Sequence, residues 1–269
     1  MISPVKFLWA LPALLCAAVS CKKVIEVNFD EAASQYVIEG KIDNNGYCSV
    51  LVSLSQRVSD VTSFNGVDSA QVTITEEGGA TVTLKRVSKG GYQQSFKGVP
   101  GKTYRLTVSA KESVFTASCT MPAKVNMDSL FVTTESISGS RRYVANVSYV
   151  DPAGKNNYYN FIQSVNRKKA GIVYVNDDHL NNGKAVTFPL LYEGNLVDSY
   201  TSEIKKGDTV QVEMQNIDPA IYKYWYSLKA SASGEDIMAT PANPVTNISG
   251  GALGYFSAHT AQYKKVIVK

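Results

Sequence analysis

The chain is poor in the residues that carry metal, redox and nucleophilic chemistry. Its 269 residues include two histidines and four cysteines. His179 and His259 lie far apart, and no C-x-x-C or H-x-x-x-H spacing occurs, so no zinc-type signature is present and no metal is expected. There is no G-x-S-x-G elbow, no phosphate-cradling G-x-x-x-x-G-K-[ST] loop and no pair of carboxylates set in apolar sequence. Catalytic residues and cofactors are therefore not expected, and the chain does not read as an enzyme. One-sided charge is also missing: the net charge is +4, dispersed, with no basic stripe interleaved with aromatics, which argues against nucleic-acid binding. The basic triplet Arg167-Lys168-Lys169 reads as a solvated turn. Apolar runs are short. The longest, Phe7 to Val19, has thirteen residues, against the roughly 20 a spanning helix needs.

What is present begins with that run. Lys6 precedes it, and Ala18-Val19-Ser20-Cys21 ends it, followed at once by Lys22-Lys23. This is the pattern of a lipoprotein signal: residues 1–20 are a leader to be removed, and Cys21 is the lipidation site. Residues 21–33 then form a lipidated tether. Cys48 and Cys119 lie in apolar strand-like runs. They are a possible disulfide in an oxidising compartment, or two buried thiols acting as small hydrophobes.

Short strands with Gly/Pro turns dominate the remainder. Tyr36 to Ile42, Tyr47 to Leu54 and Ala70 to Thr75 alternate with period two. Glu76-Glu77-Gly78-Gly79 turns the chain into Thr81–Leu84, and strands follow near 91–96, 103–108 and 114–120 before Met121-Pro122. This pattern predicts an antiparallel β-sandwich domain over 34–122. A second β-rich domain is expected over 123–269, with strands near 129–134, 143–150, 158–166, 171–175, 186–191 and 209–214. It carries one helix near 218–231, capped by Asp218 with Pro219 in its first turn. A closing strand is expected at 254–259, with the Gly-rich tail allowing close backbone approach.

The densest oxygen-bearing stretch is Asn176 to Gly183. Asp177, Asp178 and Asn182 are candidate ligand-binding residues there. The stretch is either a weak Ca²⁺ site, though without EF-hand spacing, or a polar turn whose side chains bond their own backbone. Trp225 and Tyr226 on the helix either pack on a sheet or form a stacking platform. Asn243, Asn247 and Tyr255 are candidates in the 241–256 segment, because loops on rigid β scaffolds often carry function. His259 reads as a satisfied structural histidine.

Several of these features together resemble a family. They include the Cys-Lys-Lys start, Val37-Ile38-Glu39-Gly40, Gly101-x-Thr103-Tyr104-x-Leu106-x-Val108, Met121-Pro122, Asp128-Ser129-Leu130 and Asp151-Pro152. The tail Pro241-x-Asn243-Pro244-x-x-Asn247-Ile248-x-Gly250-Gly251-x-Leu253-Gly254-Tyr255-Phe256 is the most specific element. The chain resembles Bacteroidetes outer-membrane lipoproteins of unknown function, often encoded beside TonB-dependent receptors. Its first domain resembles immunoglobulin- and transthyretin-like sandwiches. The resemblance implies an outer-membrane, lipid-anchored, surface-facing location. It also implies a non-enzymatic accessory or ligand-capture role beside a TonB-dependent transporter in nutrient uptake. The alternative is a stand-alone surface adhesin or glycan-binding module. Its partners would be membrane lipid, through acylated Cys21, and a TonB-dependent receptor.

Overall fold

The computed structural model describes residues 33–56, 64–137, 139–154, 156–192, 203–233 and 243–269. The leader, Cys21 and most of the 21–33 tether lie outside them. Residues 34–269 form one compact unit.

The fold is mainly β, built on one long sheet. Strands β1 (Tyr36–Asp43), β2 (Tyr47–Leu54), β5 (Lys85–Ser88) and β6 (Gly91–Ser95) form one end of it. Strands β11 (Tyr158–Val165), β12 (Lys168–Lys169), β13 (Tyr174–Asp177) and β15 (Thr209–Ile217) form the other. The final strand, β17 (Leu253–Ile267), joins the ends. Its first half pairs parallel with β1, up to Asp43 beside His259. Its second half pairs antiparallel with β15, from Thr260 beside Asn216 onward.

Two smaller antiparallel sheets complete two sandwiches. One comprises β3 (Gln71–Glu76), β4 (Thr81–Thr83), β7 (Thr103–Ala110), β8 (Ser113–Thr120) and β16 (Ile248–Ser249). The other comprises β9 (Met127–Ile137), β10 (Ser140–Val150) and β14 (Ala185–Leu190). Alternation decides what each strand buries, since side chains two apart share a face. Thus β1 sends Ile38 and Ile42, β2 sends Val50 and Val52, and β7 sends Tyr104, Leu106 and Val108 into the first core. Tyr149, Tyr159, Phe161, Val212 and Met214 fill the second. Strand β17 supplies Phe256 and Ala258 to the first core, and its Val266 packs against the second. The segments on either side of residue 123 therefore share a strand, and Ile217, Ile221, Ile248 and Ala252 from the later segment pack in the first core.

The helix α1 spans Pro219–Ser233. Asp218 caps it, its Oδ1 accepting from Ala220 N at 2.7 Å, and Pro219 occupies the first turn, where a missing N–H costs nothing. Other elements depart from expectation for tertiary reasons. The run Thr81–Leu84 breaks at Leu84, where the chain crosses from the small sheet to the large one, and Leu84 itself is buried. The closing strand runs to Ile267 rather than 259, because a new partner, β15, takes over where β1 ends. The short strand near 171–175 lies at Tyr174–Asp177, which puts Asp177 at a strand end.

The possible Cys48–Cys119 disulfide is corrected: both are free, buried thiols. Cys48 lies on β2 of the long sheet and Cys119 on β8 of the sheet packed against it. Cys119 Sγ instead accepts from Ala258 N at 3.1 Å. Burial pushes the Cys48 thiol up to about 12 and raises Cys119 as well.

Candidate functional site

The acidic stretch and the helix come together. Asp177 Oδ2 accepts from Tyr222 OH at 3.1 Å, and its Oδ1 accepts from His179 N at 3.1 Å. Asp178 Oδ2 accepts from Asn157 N at 3.1 Å, and Asn182 N donates to Asp178 O. The stretch thus forms an Asx-bonded turn at the rim of a cleft of about 270 Å³, lined by Tyr158, Asp177, Asp178 and Asn182 among others. Among the described residues, no group of three or more His, Cys, Asp or Glu is placed to hold a metal. The Tyr158 and Tyr222 rings stand 4.8 Å apart, and Tyr226 follows at 5.8 Å with its side chain exposed. Burial and then Asp177 push the Tyr222 phenol up to about 12, so it remains a donor to that carboxylate at neutral pH.

Trp225 turns elsewhere. Its ring lies 5.0 Å from Tyr255 and 5.2 Å from Tyr224, so it helps seat the helix on β17. Burial, followed by Glu39, raises the Tyr255 phenol. Asn247 is committed to the backbone. Its Nδ2 donates to Phe256 O and its Oδ1 accepts from Phe256 N, each at 2.9 Å. Asn243 is exposed. Of the residues singled out from sequence, Asp177, Asp178 and Asn182 share a cleft, with Tyr226 joined to it through Tyr222. Trp225 and Tyr255 pair with each other, away from that cleft's lining.

A second site was not anticipated. Where β17 leaves β1 for β15, a groove of about 630 Å³ opens, lined by Lys41, Asp43, Tyr47, Lys124, His259 and Tyr263, with Glu213 and Gln262 beside them. The β1–β2 turn frames it. Asp43 Oδ1 accepts from Asn45 N and Tyr47 N, each at 2.8 Å. Asn44 and Asn45 bond the Ala261 backbone, holding the turn against β17. Opposite them, Gln262 and Asn216 hold the connector at Val125 and Met127. His259 is 3% exposed, and its Nδ1 lies 2.9 Å from Ser257 Oγ. Burial pushes its imidazole down to about 4, against a smaller opposing pull from Asp43, so it is neutral at physiological pH. Ser257 is itself buried, so the Ser257–His259 contact presents no nucleophile to solvent. The sequence signal for this groove is faint: Tyr47 and Tyr263 fall on the strand parity opposite the core residues, which leaves two aromatics facing outward.

The chain is thus a mainly β protein of two sandwiches sharing one sheet, with its clefts at strand ends and at the sandwich junction. It belongs to the family described as Domain of unknown function (DUF4249), whose model matches residues 22–265. A search of the curated proteins finds no match. Among solved structures, a two fibronectin type-III domain segment from chicken tenascin is similar at 12% identity, over 68% of this chain and 91% of that one, with a TM-score of 0.24. Among the described residues, no helix is long and apolar enough to cross a membrane.

Proposed function

We propose that this chain is a Bacteroidetes outer-membrane lipoprotein, held at the cell surface through acylated Cys21, that serves a TonB-dependent transporter as a non-enzymatic accessory or ligand-capture partner. The observation that carries the reading is Ala18-Val19-Ser20-Cys21 closing a short apolar leader. Each buried acyl methylene contributes about 0.8 kcal/mol, so several chains on one cysteine make a firm anchor. The thirteen residues 21–33 reach at most roughly 45 Å. A body so tethered meets a neighbouring barrel at high effective concentration, and a weak contact suffices for persistent pairing. Open clefts at strand ends and loops suit capture of a ligand.

Two measurements test this. Cells fed a clickable fatty acid should label the wild-type protein and not Cys21→Ala; equal label on both would sink the anchor. Affinity capture of the intact protein from detergent-solubilised outer membranes should bring down a TonB-dependent receptor. Recovery without any such receptor argues for the second reading, a stand-alone adhesin or glycan-binding module, which the exposed Tyr226 beside the Asp177 cleft favours.

A further inference from the structure

From the junction groove we infer a binding site for a neutral oligosaccharide, its rings stacking on Tyr47 and Tyr263 and its hydroxyls bridging the paired cations and carboxylates around His259. The inference deepens the capture role proposed above by naming the site and the ligand class.

Four observations converge. First, the groove is large enough: about 630 Å³ falls within the roughly 300–1,000 Å³ of small-ligand sites. Second, it carries two aromatic side chains left in solvent, Tyr47 at 46% and Tyr263 at 51% exposed. A large aromatic that is neither buried nor covered keeps an apolar face available, and the C–H face of a sugar ring is a natural occupant. Lys41 Nζ stands 5.0 Å from the Tyr47 ring centroid, which orients that ring by cation–π attraction.

Third, the charge is balanced. Lys41 and Lys124 face Asp43 and Glu213 around one cavity. A purely anionic or purely cationic ligand would meet like charge on half the lining. Vicinal hydroxyls fit both signs, donating to a carboxylate and accepting from an ammonium. Neither lysine is in an ion pair among the described residues, so their donors are available.

Fourth, the floor holds an enclosed histidine. His259 is almost wholly enclosed, its Nδ1 lies 2.9 Å from Ser257 Oγ, and the ring lines the groove. A neutral imidazole has one N–H donor and one acceptor nitrogen, so it can meet a ligand hydroxyl in either sense. The frame around it is rigid, because Asn44, Asn45, Gln262 and Asn216 tie the turn and the connector to the strands.

The test uses the full-length protein in detergent, screened on an array of neutral glucans, mannans and galactans beside uronate-containing glycans and a peptide panel. The best neutral hit is then titrated by calorimetry. The expected result is binding of a neutral oligosaccharide that weakens at least about tenfold in Tyr47→Ala and in Tyr263→Ala and weakens in Lys124→Glu. Phe131→Ala, exposed on β9 outside the groove, should leave it unchanged. Lys124 is exposed, so its variant reports on the groove even if a tyrosine variant misfolds, and thermal melts identify any that do. Binding of peptides or uronates alone, binding indifferent to all three groove variants, or no binding on the array would each overturn the inference. These outcomes are separate from receptor capture: a protein that pulls down a transporter yet ignores neutral glycans loses this site and keeps the proposed role.

Discussion

Single residues in this chain mostly solve packing problems, and His259 shows how such a solution also sets pH behaviour. Its imidazole is enclosed, with Asp43 and Lys41 as its charged neighbours, and burial lowers it to about 4 from an ordinary 6.5. Above pH 6.5 neither the folded nor the unfolded chain protonates it. Below that, the unfolded chain takes up a proton that the folded one refuses until about pH 4. Stability should therefore fall as pH drops through this window, by on the order of 3 kcal/mol from this residue. Denaturant melts of wild type and His259→Asn at several pH values check the sign. The variant should lose about one proton's worth of slope between pH 6.5 and 4, and parallel profiles would refute it. Asn247 makes the complementary point. An asparagine in a Pro- and Gly-rich tail reads as a ligand group, yet both ends of its amide serve Phe256. No local pattern distinguishes an amide bracketing its own chain from one waiting for a ligand.

At the scale of elements, β17 carries the architecture. Its entry depends on Gly254, which holds φ at +99° and passes so close to β1 that an added Cβ would sit 2.0 Å from Ile38 O. Gly207 shares the positive φ, at +90°, but has open space around it. Gly254→Ala should therefore cost about 3 kcal/mol or more, while Gly207→Ala costs about 1–2 kcal/mol, the strain of the conformation alone. Chemical denaturation of the two variants separates clash from strain, and equal losses would contradict the close approach. Most strands were legible in the sequence because alternation records one buried face. The helix was legible through Asp218-Pro219 and its aromatic spacing. Strand ends were not: β17 extends past His259 because β15 waits there, and the run after Thr81 divides at Leu84 because two sheets compete for it. Partners, rather than propensity, set those limits.

On the scale of the whole molecule, the two sandwiches are bound by covalent and hydrogen-bonded continuity. One strand pairs with β1 at one end and β15 at the other, and its side chains reach both cores. Unfolding either half strips β17 of one of its neighbours. The described body should therefore melt as one cooperative transition, with calorimetric and van't Hoff enthalpies in agreement. Two resolved transitions would show that the halves fold independently. The junction groove exists only at this scale, since it is lined by residues from β1, β2, the 121–126 connector, β15 and β17. The Asp177 cleft is intermediate: its acids are adjacent in sequence, but Tyr222 reaches them from the helix.

By itself the sequence determined the class, because alternating apolar residues demand sheets, and the proposed lipid anchor likewise rests on a signal local in the chain, Cys21 behind a short apolar run. Tertiary structure alone decided that the thiols stay apart, that Asn247 braces a backbone, and that Tyr47 and Tyr263 share a groove. Those outcomes depend on which segments meet in space, and tertiary pairing leaves no periodicity to read.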